Sequence, residues 1–281
     1  AFPEMNQYDL ALRLLGLLGS STAAILQTIK GIVKRLQGLE NAADELSQWQ
    51  EIQTAAESIP QDAKAGELLT VLKQGFSLMK KTGAKQKAVI FTESVETQKM
   101  LQNLLSDRYR TLAYNGSADY SVIRQFKEDG EVLISTDNGA KGFNLEEAAF
   151  IIHYDLPYNT LKLEQRIDRC HRLGQENDVL SVAFIDKNNF ADVRKLELVN
   201  KRMLVTDGVF GITDDVLGGF TDDVKAAFPV IAQRLRPRAQ IEQAYRQTLS
   251  THEEDNRQTV SAAEDILFTT FTKELADKVK I

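Results

Sequence analysis

The chain has 281 residues, of which 43% are hydrophobic and 26% are charged, and these proportions exclude a mainly disordered or fibrous protein. Its 40 acidic and 34 basic side chains give a formal net charge of −6, so any nucleic-acid partner must contact a local patch rather than a generally basic surface. The single cysteine, Cys170, excludes an internal disulfide, and no apolar stretch approaches the ~20 residues of a membrane span. We therefore expect a cytoplasmic protein with no membrane partner.

Residues 1–60 are predicted to be a helical segment. Apolar residues recur at helical spacing from Tyr8 to about Ile59, and Ser20-Ser21-Thr22 offers an N-cap inside this stretch. Pro60 ends the segment, and a short linker leads to a further helix over 68–79.

Residues 61–205 have a different pattern, in which short β-rich runs alternate with amphipathic helical stretches. Strands are predicted at 87–92, 110–114, 131–136, 150–154 and 179–185, with helices at about 95–107, 120–128 and 161–173. This alternation predicts an α/β domain, a doubly wound and mainly parallel sheet with helices on both faces. Ligands bind such sheets at the carboxyl ends of the strands, so the residues after Phe91, Ile134 and Tyr154 are the first places to look.

Residues 206–281 form the third predicted part, a C-terminal appendix with helical spacing over 221–281. Arg234, Arg236 and Arg238 make a small basic cluster there, which we interpret as a solvated helix face rather than a DNA contact. The appendix is also a candidate surface for a protein partner.

Two arginines near the end of the helix at 161–173 form a candidate anion site. Arg169 and Arg172 are three residues apart, so on one helix their guanidinium groups would project to the same side and could hold one anionic group. Gln165 lies one turn earlier on a nearby face. A plain charged surface helix explains the spacing equally well.

The loop after the strand at 131–136 is a second candidate. Ser135 and Thr136 follow a buried strand, and Gly139 and Gly142 then allow backbone N–H groups to approach a phosphate closely. The sequence contains no G-x-x-x-x-G-K-[ST] phosphate loop, and its three histidines are too scattered for a zinc site, so we predict no metal site.

Several segments in order resemble the second RecA-like lobe of superfamily-two helicases. The final segment, Arg169-Cys170-His171-Arg172-Leu173-Gly174-Gln175, is similar to the Swi/Snf-type branch of DNA-dependent ATPases, including its bacterial RapA/HepA-like members. The segments that carry the resemblance are 87–94, 114–117, Arg124 with Phe126, 135–145, 154–159 and 165–175.

The resemblance implies a role for individual residues. Arg169 and Arg172 match the arginine fingers that stabilise charge on the γ-phosphate, and Gln165, Gly142 and Asn144 match positions on the nucleotide's side of the cleft. Asp155 would couple the loop after 131–136 to that cleft. The positions that match nucleic-acid contacts, partly through backbone groups, are Thr92, Gly116, Ser117, Ser135, Thr136 and Gly139.

The sequence departs from the family pattern at two positions of this loop. Gly139-Ala140 stands where two adjacent glycines are common, and Asp137 stands where a basic or small residue is common. Asp137 would place a negative charge close to a phosphate track.

The phosphate loop, its lysine and a magnesium-binding Asp-Glu pair belong to a first lobe, and none of them is found in this sequence. We therefore expect ATP and Mg²⁺ to be bound mainly by a first lobe, and this chain to be inactive as an ATP hydrolase by itself. With its non-Met start, the chain reads as the C-terminal half of a longer translocase that acts on double-stranded DNA. Two alternatives remain open: an RNA-remodelling helicase lobe, and a non-catalytic protein-interaction module on a helicase-like fold.

Overall fold

A computed structural model describes residues 6–39, 41–60, 62–116, 120–137, 143–199, 230–235 and 237–240. The chain divides into one compact unit over 1–237 and a second over 238–281, of which only residues 238–240 are described, as a short helical turn.

The N-terminal segment is helical, as predicted. It forms α1 (Gln7–Ser20), α2 (Thr22–Leu36) and α3 (Ala43–Glu57), and α4 (Ala63–Thr82) follows. The Ser21 side chain caps α2 by accepting a hydrogen bond from the N–H of Ala24, as the Ser-Ser-Thr pattern predicts. The linker is shorter than expected, since α4 begins at Ala63 rather than Leu68.

The five predicted strands form β1 (Ala88–Thr92), β2 (Thr111–Tyr114), β3 (Val132–Thr136), β4 (Phe150–His153) and β5 (Val179–Phe184). Helices α5 (Val95–Ser106), α6 (Ser121–Glu128) and α7 (Thr160–Cys170) lie between them, and α8 spans residues 190–199. These five strands lie in the order β2-β3-β1-β4-β5 and are all parallel. The prediction of a doubly wound, mainly parallel α/β sheet is confirmed.

Helices cover both faces of the sheet. Ile90, Ile134 and Ile152 point into one core, with apolar residues of α4 and α5, while Val89, Leu133 and Ile151 point into the other, with residues of α6 and α7. Helix α4 packs especially close to β4, because a Cβ at Gly75 would lie only 2.1 Å from the ring of Phe150. Burial on both faces explains why these strands are continuous apolar runs.

A sixth strand corrects the prediction for the C-terminal part. β6 (Val230–Leu235) pairs with β5 in antiparallel register, with Val179 opposite Leu235 and Phe184 opposite Val230. The helical prediction is wrong at these residues, and Arg234 lies on a strand rather than a helix face. A segment of six residues is too short for its apolar spacing to separate helix from strand, and the pairing that makes it a strand comes from a partner about 50 residues away.

Candidate functional site

The carboxyl ends of three neighbouring strands bring several predicted site residues to one edge of the sheet. Thr92 at the end of β1 lies opposite Thr136 at the end of β3, and β4 on the other side of β1 leads into Asp155. This is the place where the strand order reverses and where open α/β sheets bind ligands.

Asp155 occupies this edge as a buried carboxylate, 4% exposed. It accepts hydrogen bonds from Ser20 Oγ at 2.8 Å, Thr92 Oγ1 at 2.6 Å and the Glu93 N–H at 2.9 Å, and it forms an ion pair with Lys64 Nζ at 3.1 Å. Burial alone would raise the pKa of Asp155, but Lys64, the Thr92 hydroxyl and the Glu93 N–H together lower it below its ordinary value. We call Ser20, Lys64, Thr92, Thr97 and Asp155 the Asp155 cluster, since Thr97 Oγ1 also lies 2.7 Å from Ser20 Oγ.

The cluster changes the interpretation of two predicted nucleic-acid contacts. The Thr92 hydroxyl is buried and donates to Asp155, so only the backbone at Thr92 can contact a ligand, which is the kind of contact predicted for it. The Ser135 hydroxyl is also buried, and it donates to the carbonyl of Thr136 at 3.1 Å. As at Thr92, a phosphate contact at Ser135 would therefore use the backbone rather than the hydroxyl.

The two candidate arginines, Arg169 and Arg172, contact the segment that leads from the loop after β3 to β4. They do not project from the same face of one helix, as their spacing had suggested. Helix α7 ends at Cys170 and His171 is its C-cap, so Arg172 lies in the turn beyond the helix, and the argument from three-residue spacing on one helix is wrong. The connection runs through Asn144 instead. The Arg172 guanidinium donates to Asn144 Oδ1, and the neighbouring N–H of Leu145 donates to the carbonyl of Arg169 at 2.8 Å.

Exposure distinguishes the groups at this end of α7. Arg172, Asn144 and Gln165 are exposed, whereas Arg169 is partly buried. The Nε of Arg169 is buried and has no acceptor within the part of the chain that the structure describes. Guanidinium donors with spare hydrogen-bonding capacity suit a phosphate oxygen and do not suit a divalent cation.

Arg166 is a site residue that the sequence interpretation missed. It is 1% exposed, and its Nη1 donates to the carbonyl of Asp155 at 2.6 Å. Its Nε donates to Asp137 Oδ1 at 2.7 Å, its Nη2 lies 2.5 Å from the same oxygen, and Lys162 Nζ lies 3.2 Å from Asp137 Oδ2. The available signal was a basic residue between Leu163 and Cys170 on the inward face of an amphipathic helix.

These ion pairs account for the unusual Asp137. Its carboxylate faces two cations, so it does not present an uncompensated negative charge beside the loop.

The remaining predicted residues divide into described and undescribed positions. Gly116 is exposed at the end of β2 and has a φ of 89°, which favours glycine. Ser117, Gly139 and Gly142 lie outside the described residues.

Two features are absent from the described ranges, a cluster of metal ligands and a helix that could span a membrane. No three His, Cys, Asp or Glu side chains there are grouped as metal ligands would be. No described helix combines the length and apolar character needed to cross a membrane.

Known proteins resemble this chain over the part that contains the sheet and the candidate site. Residues 67–174 match the family model for the helicase conserved C-terminal domain. The ATP-dependent helicase YqhH of Bacillus subtilis is 32% identical over 204 residues, which are 70% of this chain and 34% of that protein. The RNA polymerase-associated protein RapA of Vibrio vulnificus is 27% identical over 186 residues, 63% of this chain and 17% of RapA.

A SWI/SNF-related, matrix-associated, actin-dependent regulator of chromatin from Caenorhabditis elegans is 39% identical over 87 residues, 30% of this chain and 9% of that protein. The chain thus spans about a third or less of the length of these relatives. The matched domain contains the sheet from β1 to β4 and helix α7 with its arginines. Residues 67–174 therefore match a helicase conserved C-terminal domain, and the relatives of the chain include RapA and a SWI/SNF-related protein.

Proposed function

We propose that this chain is the second motor lobe of an ATP-dependent translocase or remodeller that moves along double-stranded DNA in a bacterial cytoplasm or nucleoid. In this proposal the lobe supplies arginine fingers to the nucleotide and backbone contacts to the DNA. The names of its relatives, a RapA protein and a regulator of chromatin among them, support a motor of this type.

The observation that carries the proposal is the position of helix α7. Lys162 in its first turn and Arg166 near its middle bind Asp137, at the beginning of the loop that follows β3. At its end, the carbonyl of Arg169 holds the N–H of Leu145, where the same loop region leads on towards β4. One helix therefore contacts both the segment proposed to touch DNA and the segment proposed to face ATP.

Arg169 and Arg172 are the proposed catalytic residues. Their guanidinium groups would donate to the γ-phosphate of an ATP held mainly by the first lobe, and Gln165, Asn144 and Gly142 would border the nucleotide. The present acceptor of Arg172 is the neutral side-chain oxygen of Asn144. A phosphate oxygen is a stronger acceptor for a guanidinium group, so this contact can be exchanged when the cleft closes. Bound Mg²⁺ would supply further charge neutralisation from the first lobe.

The proposed DNA contacts are mainly backbone groups at the carboxyl edge, at Thr92, Gly116, Ser117, Ser135, Thr136 and Gly139. A lobe that binds phosphates through backbone N–H groups reads the DNA backbone and not its bases. Asp155 would couple these loops to the nucleotide side, because it binds the end of β1 while its own carbonyl accepts from Arg166.

The test uses the protein in which this lobe is joined to a first lobe. Arg169→Ala is expected to lower the DNA-stimulated ATPase kcat by roughly 10³- to 10⁵-fold, the range typical of an arginine finger, without weakening DNA binding. The matched control is Arg194→Ala, because Arg194 is an exposed arginine of α8 that pairs with Glu197 at 2.8 Å. Unchanged ATPase activity in Arg169→Ala would show that the finger assignment is wrong.

A second experiment separates the proposal from its alternatives. Duplex DNA is expected to stimulate the two-lobed protein more than RNA does, and stimulation by RNA alone would favour the RNA-remodelling alternative. This chain by itself is expected not to hydrolyse ATP. ATPase activity of this chain comparable with that of the two-lobed protein would contradict the proposal that a first lobe is needed to bind ATP and Mg²⁺.

A further inference from the structure

The Lys162 side chain is the one cation of the Asp137 group that reaches solvent. This group contains one carboxylate, Asp137, and two cations, Lys162 and Arg166, so its formal charge is positive. The Arg166 side chain is only 2% exposed and its donors face Asp137 and the Asp155 carbonyl. The Lys162 side chain is 48% exposed.

Among the described residues, the N–H donors of Lys162 are only partly used. An ammonium group has three N–H donors, and Asp137 Oδ2 at 3.2 Å accepts from one of them. The contact also limits where the ammonium can go, because it holds the end of a long flexible side chain beside Asp137. A cation held in place loses less conformational entropy when an anion binds it than a freely moving lysine does.

The Lys162 ammonium lies beside the loop that follows β3, because its partner Asp137 is the first residue of that loop. Asp137 directly follows Thr136, the last residue of β3, so Lys162 stands at the beginning of the loop for which phosphate contacts are proposed. Lys162 also lies in the first turn of α7, which Asn159 caps by accepting from the N–H of Leu161 at 3.0 Å. The amino end of a helix favours negative charge, so the dipole of α7 acts in the same direction as the lysine.

We infer that Lys162 is a further nucleic-acid-binding residue, which contacts a backbone phosphate of DNA while Arg166 compensates the charge of Asp137. This inference rests on the proposed function. It assigns Asp137 a positioning role, since the carboxylate that looked unfavourable for DNA orients the lysine that binds it. The contact is to phosphate and therefore does not depend on the base sequence.

The experiment measures binding of a fluorescein-labelled DNA duplex to the full 281-residue chain by fluorescence anisotropy at several salt concentrations. Lys162→Gln is expected to weaken binding roughly 3- to 10-fold at low salt and to reduce the slope of log K against log salt by about 0.9, the value for one phosphate contact. Lys162→Arg keeps the charge and is expected to bind within about twofold of the unaltered chain.

The matched control is Lys30→Gln. Lys30 is 53% exposed and pairs with Glu57 at 3.1 Å, which closely resembles the exposure and pairing of Lys162, but it lies on α2. Circular dichroism of each variant serves to check that it is folded. If Lys162→Gln binds like Lys30→Gln, Lys162 does not contact DNA, while the proposed function stands. If the unaltered chain itself does not bind duplex DNA, the proposed function and this inference are both overturned.

Discussion

The Asp155 cluster and the exposed end of α7 lie on the same lobe and are both rich in polar groups, but they differ in how those groups are satisfied. In the cluster, a buried carboxylate has four donors around it, and the lysine among them is 5% exposed. At the end of α7, Arg172 is exposed with Asn144 as its hydrogen-bond acceptor, and the Nε of Arg169 has no acceptor among the described residues.

This difference teaches which motif residues can do chemistry. A polar group whose partners are all internal stabilises the fold, because exchanging them for a ligand would leave buried donors without acceptors. A group with spare donors can bind a ligand without that penalty. Nearness to the ligand-binding edge of the sheet is therefore not enough to assign a function.

The largest stability effect is expected from removing the carboxylate of the cluster. Asp155→Ala leaves Lys64 as a buried charge without its counter-ion, and should lower the free energy of unfolding by about 3–5 kcal/mol, measured by urea denaturation. The control is Asp129→Ala, because Asp129 is a 67% exposed carboxylate that lies 3.6 Å from Arg110, and its loss should cost less than about 1 kcal/mol. Similar effects of the two substitutions would remove the distinction between the two regions.

A smaller effect should appear in the pH dependence of the free energy of unfolding, because a buried histidine lies near the Asp155 cluster. His153, two residues before Asp155, is buried beside Ser181, and burial together with the charge of Arg166 holds its pKa well below 6.5. The unfolded chain takes up a proton at this histidine below about pH 6.5 and the folded chain does not, so the free energy of unfolding should fall by about 1.4 kcal/mol per pH unit towards pH 5.

His153→Gln should remove this contribution of one proton from the slope, measured by urea denaturation at several pH values. An unchanged slope between about pH 6.5 and 5 would mean that His153 is protonated in the folded protein.

The smallest effect is expected at the exposed end of α7. Arg172→Gln should change the free energy of unfolding by less than about 0.5 kcal/mol, because an exposed side chain with one hydrogen bond contributes little to stability. Thermal unfolding measures this directly. A loss of several kcal/mol would mean that Arg172 is structural, and would weaken its assignment as a finger.

Much of the fold could be predicted because it depends on local patterns. The strands β1 to β5 begin and end within one residue of the predicted runs. All strands but the half-buried β2 are buried along their whole length, which makes their runs mostly apolar. The end of α7 could not be predicted in this way. The Gln175 side chain donates to the carbonyls of Glu146 at 2.8 Å and Ala148 at 3.2 Å, and these contacts hold the chain in a turn where the local pattern still favours helix.

The site was predictable where it depends on local sequence motifs. The sequence motifs identify Arg169, Arg172 and Asn144, which the structure places close together. They do not identify the partners of Asp155, because Ser20 is 135 residues away along the chain and only the folded state joins the two. Arg166 was missed because its role depends on Asp137, which belongs to a different element.

Strand β6 has a practical consequence for where the lobe ends. The β5 segment Val179–Phe184 contains no charged residue and no proline, and in the structure β6 pairs with one side of it. A chain cut at residue 205, the predicted boundary, would leave the backbone N–H and C=O groups on that side open to a strand from a second molecule. Size-exclusion chromatography should therefore show self-association of a 1–205 fragment and not of a 1–237 fragment. The segment that we expect to prevent self-association therefore lies outside the matched helicase domain, which ends at residue 174.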